Sequence, residues 1–234
     1  MSADELLRAG RLEEAIAALG AELRERPTDA RRRVFLFELL CFAGALDRAE
    51  RQLDALAAGG PEQARGVLFY RAALQAERAR RRRFGAGEAP PAQGEAAPVR
   101  ATLDGRAVAG LEDADPRIGA RLEVYAGDQY LWLPLAQVES IRLEPPRRLR
   151  DLLWAPARLR TTTADMGEVL LPALTPHAWE APDDALRLGR ATAWGELADG
   201  TLVPVGQKLL RAGDEEFPLL ELREVVVTAP VAAA

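Results

Sequence analysis

The stretch Gly10–Leu19 reads G-R-L-E-E-A-I-A-A-L, and Gly44–Leu53 reads G-A-L-D-R-A-E-R-Q-L, so glycine, leucine, alanine and leucine return in the same places 34 residues later. The correspondence extends outward on both sides. Leu6 answers to Leu40, Pro27 to Pro61, Ala30 to Ala64, Arg31 to Arg65 and Phe35 to Phe69. Each glycine reads as the end of one helix and the start of a tight turn. The alanine five residues on allows two helices to approach closely, and the leucines recur at helical spacing to form an apolar stripe. The proline after each second helix stops it and starts the next.

Paired helices at this period resemble the tetratricopeptide repeat. The resemblance predicts a second helix over Gly10–Arg26, a full repeat over Ala30–Ala58, and the first helix of another from Ala64 onward. About two and a half units make a short array, and such arrays need about three to bury a continuous core. The following part of the chain is therefore expected to cap the stack. Carried across position by position, the concave face would present Arg31, Val34, Glu38, Cys41 and Phe42, then Arg65, Leu68, Ala72, Gln75 and Ala76. One reading makes this a mixed apolar and arginine-bearing groove for a partner helix or extended peptide. The other makes Val34, Cys41, Phe42 and Leu68 core, and the crevice between the two parts of the chain competes with the groove as the docking site.

Composition narrows the function. The chain has 234 residues, 48% hydrophobic and 29% charged, which is globular usage. No window approaches the roughly 18 apolar residues of a membrane span, and the polar start M-S-A-D-E-L-L-R does not read as a secretory signal. A single cysteine, Cys41, and a single histidine, His177, exclude an internal disulfide framework and a metal site built on those residues. The net charge of −5 is unevenly spread: residues 1–97 hold 16 Arg against 15 acidic residues, and residues 98–234 hold 15 basic against 21 acidic. Of 31 basic residues only Lys208 is lysine, a habit of both parts and so a compositional one.

The run Arg78–Arg83, R-A-R-R-R-R, reads as a nucleic-acid or acidic-membrane patch on one account, and as the solvated last turns of a helix on the other. The second is preferred, because no aromatic is interleaved before Phe84 and the chain is acidic; an acidic protein partner stays open. Residues 85–98 are rich in Gly, Pro and Ala and read as a linker. The boundaries expected are thus a helical domain over 1–84, a linker over 85–98 and a strand-rich domain over 99–234.

In that second part, turns are expected at Asp104-Gly105, Gly127-Asp128 and Asp199-Gly200. Strands are expected over Arg121–Ala126, Tyr130–Leu135, Val138–Leu143, Ala157–Thr163, Gly167–Leu171, Arg187–Trp194, Gly206–Leu210 and Leu219–Val227, with a helical turn or two over Arg148–Trp154. The fold class is α+β: tetratricopeptide-like helices followed by a mainly antiparallel domain, either a small barrel or a strongly curved sheet.

Several ordered segments of this second part resemble the ImpE/SciE family. They are R-L-R-D-L-L-W-A-P-A-R-L (Arg148–Leu159), Y-L-W-L-P-L (Tyr130–Leu135), G-E-V-L-L-P-A-L-T-P (Gly167–Pro176), L-R-L-G-R-A-T-A-W (Leu186–Trp194) and G-Q-K-L-L (Gly206–Leu210). Thr175 stands where the family pattern carries an aromatic residue. The resemblance implies a cytoplasmic accessory protein of the bacterial type VI secretion system. It implies an adaptor that binds the N-terminal helix of the sheath small subunit and influences sheath recycling by the AAA+ unfoldase, without enzymatic activity or cofactor.

Chemistry-bearing residues point the same way. His177 beside Pro176 reads as a loop or packed ring, Asp183-Asp184 as a helix cap or solvated turn, and Asp151 as a structural carboxylate. Trp132, Trp154, Trp179 and Trp194 read as the core of the strand-rich part. No phosphate-binding glycine loop or H-E-x-x-H motif occurs. The rival readings are a scaffold that acts through self-association and a hydrolase using Asp183, Asp184 or His177.

Overall fold

The computed structural model describes residues 1–86 and 96–230. Helices come first: α1 (Ala3–Arg8), α2 (Leu12–Glu25), α3 (Ala30–Phe42), α4 (Leu46–Ala57), α5 (Pro61–Gly66) and α6 (Leu68–Gly85). Gly10 and Gly44 hold φ of 73° and 74°, the left-handed region that side chains resist. The same closure follows at both. The Arg11 amide donates to the Leu6 carbonyl at 2.9 Å and the Ala45 amide to the Leu40 carbonyl at 2.9 Å, the double-bonded helix stop that glycine permits. The repeated stripe, Leu12, Ala15 and Leu19 in α2 and Leu46, Ala49 and Leu53 in α4, is buried.

The third unit departs from the first two. Its first helix breaks at Gly66-Val67 into α5 and α6. Position 78, where the glycine would recur, is Arg78, so no turn forms and α6 runs straight on to Gly85. Of the expected linker, residues 87–95 lie outside the described residues; β1 (Val99–Leu103) begins the next element.

The remaining strands are β2 (Arg106–Asp113), β3 (Arg121–Ala126), β4 (Gln129–Pro134), β5 (Val138–Leu143), β6 (Trp154–Thr161), β7 (Asp165–Pro172), β8 (Thr192–Glu196), β9 (Leu202–Gly206), β10 (Leu209–Ala212), β11 (Glu215–Pro218) and β12 (Glu224–Pro230). Nine of them and β1 form one curled antiparallel sheet in the order β11-β10-β2-β1-β12-β5-β6-β7-β3-β4, and β8 pairs with β9 apart from it. The three expected turns are present between β1 and β2, β3 and β4, and β8 and β9. Three strand expectations are corrected. Gly206–Leu210 is divided, with Gly206 ending β9 and Leu209 starting β10. Asp184–Arg187 is a helical turn, α7, and β8 starts only at Thr192. Leu219–Glu221 is a 3-10 turn whose Leu219 and Leu220 enter the sheet's inner core, and β12 starts at Glu224.

The sheet has two apolar faces. Leu122, Val124, Ile141, Leu159 and Leu171 fill the inside of the curl. On the outside, Tyr125, Trp154 and Leu170 join the leucines of the helices in one cluster. The tryptophans are therefore not the core of the sheet. Trp154 packs toward the helices, Trp132 lies 5.7 Å from the Phe84 ring, Trp179 is half-buried and Trp194 is exposed.

Buried ions fasten α6 to the sheet. Arg80 forks onto Glu123 of β3 at 2.7 and 2.9 Å and also donates to the Leu174 carbonyl at 3.0 Å. Lys208 donates to Glu123 at 2.7 Å and to Asp113 at 2.5 Å. Against the desolvation of a fully buried carboxylate, the two cations hold Glu123 well below the usual carboxylate range.

Residues 177–190 run along the ends of the repeats. The Leu12 amide donates to Asp184 at 2.7 Å, which supplies the N-cap that Arg11 leaves empty on α2. Arg190 donates to the Leu7 and Arg8 carbonyls at 2.6 and 3.1 Å, closing the end of α1. Trp179 lies so close to Gly44 that an added Cβ would come 2.4 Å from its Cδ1. These contacts close the short array from outside. Thr175 belongs to the same framework, its hydroxyl accepting from the Gly206 amide at 2.9 Å.

Candidate functional site

The expected concave face is open only in part. Arg31 and Arg65 are exposed, Val34 is half-buried against the helical core, and Leu68 and Gln75 are exposed. Glu38, Cys41, Phe42 and Ala76 are buried, which corrects the expectation that they face a groove. Leu153, Trp154, Leu174 and Ala178 pack over Cys41 and Phe42 and leave a void of about 20 Å³, room for about one water. The sheet thus fills one half of the hollow that bare repeats would present.

Beside the filled half lies a crevice of about 730 Å³ between α6 and the outer face of β6 and β7. Phe69, Ala72 and Ala73 form the helical wall, Trp154, Tyr125 and Leu170 the floor, and Arg158 and Glu168 the far side. Of the sequence-predicted residues, Ala72 lines it directly, and Leu68 precedes Phe69 at the lip. Phe69 was read only as a repeat position, and its role comes from the unfinished third unit. Its counterpart Phe35 is half-buried against the helical core, whereas among the described residues no second helix follows α6 to cover Phe69. Leu68 and Phe69 consequently stand 61% and 49% exposed.

Arg150 organises the end of the crevice. Its guanidinium lies 5.4 Å over the Phe69 ring and 4.8 Å over the Tyr70 ring, donates to the Tyr70 hydroxyl, and sits 3.7 Å from Asp151. Asp151 accepts from the Arg147 and Arg148 amides, both at 2.9 Å, so its role in R-L-R-D-L-L-W is to fix the turn that carries Arg150. Glu38 is 8% exposed, and burial pushes its carboxyl up to about 7 although Arg150 draws it down. Arg150 and Glu168 carry no signal of their own in the sequence, and Arg158 stands out there only as a candidate partner of Asp151. They reach the site through antiparallel pairing, as Arg158 faces Glu168 across β6 and β7.

The arginine run is not a solvated helix end, because most of its side chains are engaged within the protein. Arg78 binds Asp47 and Glu50 at 2.7 and 2.8 Å, Arg80 is buried on Glu123, Arg81 lies 3.7 Å over the Trp179 ring, and Arg83 lies 5.6 Å from the Trp132 ring. Only Arg82 of the run is fully exposed. The hydrolase candidates do not assemble. Asp183 accepts from the Ala185 amide at 2.8 Å to cap α7, Asp184 caps α2, and His177 lies 3.4 Å from Glu180 and 5.1 Å from the Trp179 ring. None of the three lines the crevice. Among the described residues no cluster of three or more His, Cys, Asp or Glu could hold a metal, and no helix is long and apolar enough to cross a membrane.

Comparison with known proteins gives a consistent answer. A family model described as ImpE protein matches residues 105–226, and one described as tetratricopeptide repeat matches residues 6–77. The type VI secretion system accessory component TagJ of Pseudomonas aeruginosa is 37% identical over 258 aligned residues, which cover 96% of this chain and 90% of that protein. The crystal structure of protein VPA1032 from Vibrio parahaemolyticus superposes with a TM-score of 0.88 at 22% identity over 98% of both chains, a likeness of fold.

Proposed function

The chain belongs to the ImpE family, and from that premise we propose that it is a non-enzymatic accessory protein of a type VI secretion system, acting in the cytoplasm. Its partner is the N-terminal helix of the sheath small subunit, and through that contact it modulates sheath recycling by the AAA+ unfoldase. The observation that carries this reading is the lip of the crevice. Leu68 and Phe69 are large apolar side chains left uncovered where the third repeat stops short. An amphipathic helix laid along α6 would cover them with its apolar stripe, as the missing helix of a complete repeat would. Arg31 and Arg65, exposed on the same repeat face, would meet acidic groups at its polar edge.

The test is fluorescence anisotropy with a labelled peptide of that sheath helix. L68D/F69D is expected to weaken binding at least about tenfold, since central apolar anchors carry most of such an interface. R31E/R65E is expected to act mainly on the association rate. Unchanged affinity for L68D/F69D, with the protein folded, would refute the crevice as the docking site.

A further inference from the structure

The first turn of α4 and the last turns of α6 enclose a second hollow, of about 540 Å³, that shares no lining residue with the crevice. Five arginines line it: Arg48 and Arg51 from α4, and Arg78, Arg81 and Arg82 from α6. Two of them are already engaged. Arg78 binds Asp47 and Glu50, and Arg81 binds Glu77 at 3.0 Å and the Gly44 carbonyl at 2.8 Å. Arg48, Arg51 and Arg82 are exposed and have no side-chain hydrogen bond or ion pair among the described residues. Arg48 and Arg51 stand one turn apart and so share a face of α4. The hollow therefore sets five arginines against three carboxylates, Asp47, Glu50 and Glu77, in a chain whose net charge is −5.

We propose that this hollow is a docking site for a short acidic segment of a partner protein. Its carboxylates would take the free guanidinium forks of Arg48, Arg51 and Arg82. Guanidinium groups match carboxylates with two parallel hydrogen bonds, which gives register as well as attraction. The first turn of α4 has no side-chain cap and adds its partial positive charge to the rim. A nucleic acid fits less well for two reasons. Single strands are held by bases stacked on open aromatic faces, and among the described residues no aromatic side chain lines this hollow. A long polyanion would also carry more charge than the three free guanidinium groups of the hollow can match, whereas a few carboxylates would not. Because the two surfaces are separate, the acidic segment leaves the crevice free, and the site stands or falls independently of the sheath-helix reading.

The experiment is fluorescence anisotropy with labelled octaglutamate, at about 50 mM and about 300 mM salt. The expected result is saturable binding that weakens at least about tenfold at the higher salt, and at least about tenfold again in R48E/R51E/R82E. R24E/R26E, which reverses charge at the exposed end of α2, outside both surfaces, should change it less than about threefold. Circular dichroism checks folding, and R48Q/R51Q/R82Q replaces the reversal variant if that one fails to fold. No saturable binding, an equal loss in R24E/R26E, or tighter binding of a labelled oligothymidylate of matched charge would each overturn the proposal.

Discussion

Replacing Glu123 by glutamine should remove about a third of this protein's stability while leaving its shape nearly unchanged. Glu123 accepts the Arg80 fork at 2.7 and 2.9 Å, the Lys208 ammonium at 2.7 Å and the Tyr130 hydroxyl at 2.5 Å. The side chains of Arg80, Glu123 and Lys208 are 3%, 0% and 4% exposed, so no water replaces what is lost. An amide there would turn a donor toward one of the two cations, leave Lys208 with Asp113 alone and leave Arg80 without its paired carboxylate. Breaking a buried pair in this way costs about 3–5 kcal/mol, against a total of about 5–15 kcal/mol for a typical domain. Urea unfolding followed by circular dichroism at neutral pH is the assay, and the midpoint should fall by roughly 1–3 M. The cycle of E123Q, R80M and the double variant should be strongly non-additive, because the two side chains meet. As an internal comparison, E224Q, which breaks the exposed Arg142 pair at 3.0 Å, should move stability by less than about 1 kcal/mol. A loss below about 1 kcal/mol for E123Q, or additive single losses, would refute the view that this cluster fastens α6 to the sheet.

Glu38 gives a pH signature of opposite sign to a paired carboxylate. Its folded value of about 7 lies above the ordinary 4.5, so the stability of its protonated form is fully present below about pH 4.5 and lost as pH rises through 7. Glu38→Gln should therefore stabilise the protein on the order of 2–3 kcal/mol at about pH 8 and by almost nothing at about pH 4; equal gains at both would contradict a buried, titrating carboxyl. Asp184→Ala removes the cap on α2 and should lower stability by about 1 kcal/mol in thermal unfolding, with Asp184→Asn recovering most of it. Full stability in Asp184→Ala would mean that residues 177–190 do not hold the end of the array.

The helical front was legible because its determinants are local. Gly10 and Gly44 need a backbone that other residues resist, and the leucine stripes beside them have one period, so a single alignment sets four helices. The end of the array was legible too, in principle: Arg78 occupies the slot where glycine would turn the chain, and without that turn α6 has to continue. The site divides along the same line. Ala72 and Leu68 follow from repeat register alone. Phe42 and Glu38 do not, since what buries Phe42 is Trp154 and Leu174, more than a hundred residues away, and what most lowers the Glu38 carboxyl against its burial is Arg150. Phe69 was assigned to the repeat and not to the surface because pattern matching presumes a next helix to cover it.

Lys208 shows how a compositional habit can conceal a structural signal. Thirty arginines and one lysine look like a preference with one lapse. The structure puts that lysine where arginine has no place, between Asp113 and Glu123 at 2.5 and 2.7 Å, with its side chain 4% exposed. Both oxygens of Glu123 already receive the planar fork of Arg80. A second fork would need another pair of parallel acceptors, which two carboxylates on different strands do not present. A compact ammonium with three rotatable donors meets both at once. The lone departure from the arginine habit thus marks the buried cluster that joins the strand β2, the strand β3 and the helix α6, and with it the wall from which Phe69 and Leu68 project.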